Sequence, residues 1–389
     1  MNILLIAPQP FFQDRGTPIA VKLLSETLAA QGHNVHLLVY HEGEQIELPN
    51  IMIHRSFPLP GTSNIKPGLS LKKILCDIFI FIKCISLLRQ YKIDLIHAVE
   101  EAVFIAILFN KTHKIPYVFD MDSCMPMQII DKFPSFRILS SLMKYFERAA
   151  VQNSAGVLTV CKFLQETATK YASDKHIAVI EDITLLDNTI NGDELLRESL
   201  MVKDKIIMYV GNLEKYQGID LLLESFKLIQ NKSCDVILII IGGSTNDIQF
   251  YKNRAKKLCI DSKTFFCGSR PVKFLGYYLS QADILVSPRI QGNNTPMKIY
   301  SYMDSGKPVI ATNLPTHTQV LNNEISYLVA PAPEAMAAGI IELLYNVQLR
   351  ETLANNAKQK IMQEYSISAY TKKLTDFYNK LPVNGKIFQ

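Results

Sequence analysis

The chain has 389 residues, 48% of them hydrophobic and 20% charged, with 41 lysines and arginines against 36 aspartates and glutamates. That apolar fraction fills cores, which excludes disordered, collagen-like and low-complexity classes, and the length suits two or three domains at roughly 150 residues each. A net charge of +5 spread along the chain does not mark a nucleic-acid binder, and no nucleic-acid partner is expected. The seven cysteines (76, 84, 124, 161, 234, 259 and 267) form no CxxC pair and read as buried, reduced thiols.

Residues 1–8 are a short apolar run with no basic leader and a closing Pro8, so a buried first strand is expected in place of an export signal. A strand over 2–7, a loop over 8–17 ending in Arg15-Gly16-Thr17, and a helix with Thr17 as cap and Pro18 in its first turn follow. Gly32 stops that helix, and 34–40 is the next strand. The stretch 66–92 carries Lys66, Lys72, Lys73, Lys83, Arg89 and Lys92 against Asp77 alone, interleaved with Ile78-Phe79-Ile80-Phe81-Ile82. It reads either as an amphipathic surface for an anionic leaflet or as a buried helix with a solvated basic edge. No stretch reaches the roughly 20 uninterrupted apolar residues of a membrane span. A cytoplasmic protein, or one peripheral to the cytoplasmic membrane face, is expected.

Apolar strands over 95–98, 117–119, 156–160 and 177–180 alternate with helical segments, and the polar stretch 187–205 breaks the pattern as an interdomain linker. A second series follows: strand 206–210, helix 218–230, strand 236–241, a Gly242-Gly243 turn, and short strands over 264–266, 284–287, 308–311 and 327–329. Residues 333–382 read as mostly helical. Continuous apolar strands alternating with helices indicate an α/β protein with parallel sheets covered on both faces, here as two lobes in tandem with a helical tail. The expected domains are residues 1–190, 200–365 and a C-terminal helix over 366–389.

The segment 284–312 has the order strand, polar loop, helix, glycine stop, strand, with Thr295 as the expected helix cap, Pro296 at the first helical position and Gly306 as the stop. A loop that leaves the carboxyl end of a parallel strand and feeds a helix is where α/β sheets bind ligands, and the free N–H groups there favour an anion. Arg289 and Lys298 bracket the loop. The pattern alone leaves open an anion site or an ordinary loop with solvated cations.

This segment, through Pro296-Met297-Lys298 and the helix to Gly306, resembles the signature of the family 4 (group 1) glycosyltransferases in a branch where Pro-x-Lys precedes the helix. The stretch from Tyr209-Val210-Gly211-Asn212 to Gly218 and Leu223 is similar to the opening of that family's donor lobe, and Ile240–Gly243, Phe266-Cys267-Gly268, 281–288 and Asp94-Leu95-Ile96-His97 also fit. The resemblance implies the GT-B fold, two facing Rossmann-like doubly wound parallel-sheet lobes whose C-terminal helix packs back on the first. It implies a metal-independent hexosyltransferase that retains anomeric configuration, with a nucleotide-sugar donor as co-substrate and no cofactor. Donor would bind the C-terminal lobe, and a glycan or lipid-linked acceptor the N-terminal lobe, with chemistry in the cleft. Cell-surface polysaccharide or glycolipid synthesis is the implied setting.

Residue by residue, the resemblance places Gly211, Asn212, Lys215, Gln217, Asn293, Asn294, Thr295 and Ser301 around the donor, with Gly16 of the first loop approaching its phosphates. Asn293 and Ser301 stand where the family has a Glu-x7-Glu pair, and Asn212 and Gln217 where it has an arginine and a lysine. Lys215, Arg289 and Lys298 are the cations available to compensate. Arg289 and Lys298 would stabilise the leaving phosphate. Asp122, in Asp120-Met121-Asp122, takes the place of the family's histidine near acceptor and sugar. From the residues themselves, Asp120 is either a cleft carboxylate or a helix cap or loop-amide acceptor, His97 a satisfied strand-end residue, and Glu100 and Glu101 candidates for the cleft. No metal site is expected. The alternative function is a degenerate GT-B protein that binds sugar nucleotide or glycan without transfer.

Overall fold

A computed structural model describes the chain apart from residues 15, 59–64, 66–69, 133, 188–195, 202, 233–234 and 383–389. The chain divides into two compact units, Met1–Glu181 with Thr371–Gln389, and Asp182–Tyr370.

In the first unit, β1 (Asn2–Ile6), β2 (Asn34–Val39), β3 (Ile51–Arg55), β4 (Leu95–Val99), β5 (Tyr117–Met121), β6 (Gly156–Thr159) and β7 (Ile177–Val179) form a parallel sheet in the order β3-β2-β1-β4-β5-β6-β7. The helices are α1 (Gly16–Ala30), α2 (Leu71–Gln90), α3 (Ala102–His113), α4 (Met125–Lys132), α5 (Ser140–Asn153) and α6 (Lys162–Tyr171). Every residue of β4 is buried, as expected for a strand covered on both faces. Ser70 starts α2 by accepting the Lys73 N–H at 3.2 Å. Two expectations change here. Helix α1 already begins at Gly16, so Thr17 lies inside its first turn and is not its cap. Strand β3 has no counterpart in the sequence reading: it pairs with β2 alone at the sheet edge, and an edge strand tolerates the polar His54 and Arg55 that break its apolar pattern.

In the second unit, β8 (Lys205–Val210), β9 (Val236–Ile241), β10 (Thr264–Gly268), β11 (Ile284–Ser287), β12 (Val309–Thr312) and β13 (Tyr327–Val329) make a second parallel sheet in the order β10-β9-β8-β11-β12-β13. Its helices are α7 (Leu196–Ser199), α8 (Ile219–Gln230), α9 (Thr245–Lys257), α10 (Leu275–Ser280), α11 (Lys298–Asp304), α12 (Pro315–Thr318), α13 (Pro333–Tyr345) and α14 (Val347–Glu364). The run VILIII of β9 is buried throughout. The stretch expected as linker contains α7, while its 188–195 segment lies outside the described residues.

The last helix, α15 (Ile367–Asn379), belongs to the first unit from Thr371 onward. Phe377 and Leu381 lie against Gly156 so closely that a Cβ there would come within 2.9 and 2.7 Å of them. The Phe377 ring stacks on His176 at 4.8 Å, and Lys373 pairs with Glu181 at 2.7 Å. In each sheet the strand order reverses once, between β1 and β4 and between β8 and β11, which defines the place where open α/β sheets take ligands.

Candidate functional site

Strands β8 and β11 pair side by side, and the loops leaving their carboxyl ends build the site of the second unit. Gly211 follows β8 with φ of 150°, and a Cβ there would stand 3.0 Å from both Lys298 Nζ and Tyr209 Oη. Only glycine leaves that space open without strain. The chain then turns through a 3-10 segment, Lys215–Gln217, into Gly218 at φ 74° and α8. Gln217 is buried, and its Oε1 accepts a hydrogen bond from Lys298 Nζ at 3.0 Å. The same ammonium lies 3.9 Å from the centre of the Tyr209 ring, a cation–π contact.

Arg289 leaves the end of β11 and is held from several sides. Its Nη1 donates to the Asn294 carbonyl at 2.9 Å and to Thr316 Oγ1 at 2.8 Å, and its guanidinium lies 4.9 Å from the Tyr216 ring centre. Its own carbonyl accepts from Thr312 Oγ1 at 2.5 Å. Thr316 Oγ1 donates to the Asn294 carbonyl at 2.6 Å, and Gln319 Nε2 to the Asn293 carbonyl at 2.6 Å, so α12 and the residue after it fasten the loop. Beneath it, His317 Nδ1 donates to the Thr312 carbonyl at 2.8 Å while Nε2 accepts from Ser287 Oγ at 2.8 Å. Burial first, and the positive Lys298 and Arg289 nearby, outweigh the hydrogen bond to Thr312 and hold His317 neutral with its pKa lowered to about 4.

Desolvation, then the neighbouring Arg289 charge, push Lys298 well below the ordinary lysine value. Burial also lowers Arg289, partly offset by Tyr216 and Tyr209. Among the described residues, neither cation has an ion-pair partner at a carboxylate. Among the described residues, Arg289 Nε and Thr295 Oγ1 are buried polar atoms without a hydrogen-bond partner. Two partly buried cations beside unpaired polar atoms form a place for an anion, because an opposite charge relieves the burial penalty on both.

Several expected site residues thus come together: Gly211, Gln217, Arg289, Asn294, Thr295 and Lys298. Others stand apart. Lys215 and Asn212 are exposed, and Asn212 contributes its carbonyl to Tyr209 Oη at 2.6 Å. Ser301 is buried, and its Oγ accepts the Leu185 N–H at 3.0 Å, which leaves the hydroxyl's own proton to donate. Thr295 is not a helix cap. Helix α11 starts at Lys298, its first bonds run from the Ile299 N–H to the Pro296 carbonyl and from the Tyr300 N–H to the Met297 carbonyl, and Thr295 Oγ1 meets no amide. Thr312, Thr316 and His317 had no signal in the sequence, since their roles depend on contacts that only folding creates.

In the first unit, Asp122 follows β5, and Gly16 sits where a Cβ would meet nothing within 4 Å. Among the described residues the Asp120 side chain caps no helix and accepts from no loop amide: its carboxylate faces His97 Nε2 at 3.1 Å, and His97 Nδ1 faces the Tyr378 hydroxyl at 2.6 Å. Glu100, at φ 53°, accepts from Ser123 Oγ at 2.8 Å, and burial followed by the negative Glu101 raises its pKa. Glu101 pairs with Lys73. Among the described residues no cluster of three or more His, Cys, Asp or Glu side chains is arranged to hold a metal ion.

Two family models match successive parts of the chain, Glycosyltransferase Family 4 over residues 15–182 and Glycosyl transferases group 1 over residues 193–360. The chain belongs to the family 4, group 1 glycosyltransferases. It is 23% identical to an uncharacterized glycosyltransferase of Methanocaldococcus jannaschii, over 93% of this chain and 94% of that one. It is 20% identical to the alpha-monoglucosyldiacylglycerol synthase of Streptococcus pneumoniae, over 97% and 85% of the two chains. Among solved structures, sucrose-phosphate synthase from Thermosynechococcus elongatus matches with a TM-score of 0.77 at 18% identity, covering 98% of each chain. Anabaena HepE in complex with UDP and glucose matches at 0.76 and 14% identity, over 98% and 100%. These likenesses establish the fold as GT-B.

Proposed function

We propose that the second unit holds a nucleotide-sugar donor with its diphosphate on Arg289 and Lys298, and that the sugar is passed with retention of configuration to a glycan or lipid-linked acceptor. The observation that carries this reading is the pair of partly buried cations without a carboxylate partner, set beside Gly211 at the strand-order reversal. A diphosphate supplies the charge they lack. The HepE structure, in complex with UDP and glucose, supports the donor class, and the pneumococcal relative's name supports a glycolipid acceptor. Retention and metal independence rest on the family resemblance.

In this reading the C1–O bond to the diphosphate breaks while the acceptor oxygen bonds C1 from the same face. The acceptor's proton passes to the departing phosphate oxygen, whose developing charge Arg289 and Lys298 stabilise. Asn293 bonds sugar hydroxyls, and Asp122 orients the acceptor or balances charge on the sugar.

A second reading, a protein that binds sugar nucleotide without transfer, is favoured by Ser301, an uncharged hydroxyl at a glutamate position of the family that already accepts the Leu185 N–H. Incubation with a panel of uridine and guanosine diphosphate sugars and candidate acceptors, with nucleotide release and the product's anomeric proton signal as readouts, separates the two. Transfer with retention, reduced about a hundredfold or more in Lys298→Ala, is the expected result. Tight binding with no transfer establishes the second reading, and an inverted product refutes retention.

A further inference from the structure

We infer that the outward face formed by α2, α3 and residues 136–148 docks on the surface of an anionic lipid bilayer. More than half of the large apolar side chains exposed among the described residues lie on these three elements. Ile138 is 90% exposed, Leu71 82% and Tyr145 65%, levels that no core contact explains. The elements are also contiguous. Phe104 of α3 meets Phe146 of α5 edge to face at 6.4 Å, and α2 and α3 enclose a groove of about 310 Å³ lined by Phe81, Ile85, Leu88, Leu108 and Phe109.

Among the described residues of these three elements, the exposed charges have one sign. Arg89, Lys111, Arg137, Lys144 and Arg148 are exposed on this face. The acids of the same elements are turned elsewhere: Asp77 receives the Tyr40 hydroxyl, and the fully buried Glu147 accepts from the Met125 N–H at 2.9 Å and the Tyr171 hydroxyl at 3.0 Å. Glu101, just before α3, pairs with Lys73. A second copy of the chain would set this positive rim against itself, whereas an anionic leaflet neutralises the rim and takes up the apolar side chains. The face is broader than the 66–92 stretch seen in the sequence, because α3 and 136–148 extend it. It goes beyond the donor chemistry and does not depend on it.

The test is sedimentation of the full chain with vesicles of phosphatidylglycerol and phosphatidylcholine in equal parts, and of phosphatidylcholine alone, without nucleotide. Binding to the mixed vesicles only, weakened by salt, is expected. Arg137→Glu with Lys144→Glu should weaken it about thirtyfold, and Ile138→Ser with Leu142→Ser should weaken it comparably, with both variants keeping the wild-type thermal transition. Absence of binding, equal binding to neutral vesicles, or full binding by both folded variants overturns the inference. So does a concentration-dependent dimer that the same variants break, which would assign the face to a second copy. Nucleotide titration of the same samples shows separately whether the donor site stands.

Discussion

At Gly218 the backbone turns with φ 74°, and a Cβ built there would lie 1.9 Å from the Pro288 carbonyl oxygen, an atom that cannot move without shifting the loop that carries Arg289. Gly218→Ala is therefore expected to cost roughly 1–3 kcal/mol and to weaken nucleotide binding as well. Urea unfolding and a nucleotide titration would show it, and a variant with wild-type stability and affinity would mean that the turn relaxes freely. Lys298 gives a pH signature. Its depressed pKa means that it loses its proton below the ordinary lysine value of 10.5, while a bound diphosphate favours the protonated form. Affinity for a nucleoside diphosphate should then fall as pH rises through that lowered pKa, and binding there should take up protons. Lys298→Arg should flatten the slope, measured by calorimetry in buffers of different ionisation enthalpy. Arg289 and Lys298 were legible in the sequence because their positions around a strand–loop–helix boundary carry chemical meaning. Ser301 was placed by its resemblance to a family position, which does not reveal that its Oγ accepts the backbone N–H of Leu185.

Among the elements, α15 makes the sharpest prediction. Tyr378 is buried and faces the buried His97, whose other nitrogen faces Asp120, so Tyr378→Phe leaves a buried ring nitrogen without its partner. A loss of about 1–3 kcal/mol is expected in thermal or urea unfolding. An unchanged midpoint would show that the final turn of α15 is not a fixed part of the first unit. Gly156 makes the same point from the sheet side, since any larger residue would meet Phe377 and Leu381. The sequence showed most strands because parallel strands covered on both faces are continuous apolar runs, as in β9 and β11. It missed β3, an edge strand under weaker apolar demand, and it placed the start of α11 too early because Thr-Pro resembles a cap and first turn. The glycine stop was sound: Gly306, at φ 69°, follows the end of α11.

For the molecule as a whole, tandem α/β organisation was legible from alternation alone, and the family from one motif supported along the chain. The buried carboxyls were not, because their protonation depends on what covers them. Burial first, then the negative Glu101, raise Asp77 from 3.8 to about 7, against the opposing hydrogen bond from Tyr40 and the charge of Lys73. A carboxyl with a raised folded pKa binds its proton more tightly in the folded state than in the unfolded one, so stability falls as pH rises from about 4 towards about 7. Glu100, raised for the same leading reason, extends the fall in the same direction. Asp77→Asn should remove about 1–3 kcal/mol of this pH dependence, read from urea unfolding across that window. A variant whose stability follows the wild-type pH curve would contradict the assignment.

The central claim, that Arg289 and Lys298 hold the diphosphate of a nucleotide sugar, is tested most directly by calorimetric titration of wild type and Lys298→Ala with a panel of nucleoside diphosphates and their sugars. The account predicts saturable one-to-one binding of at least one nucleotide by the wild type and a loss of about tenfold or more in the variant. No binding across the panel, or equal affinity in a folded Lys298→Ala, would contradict it.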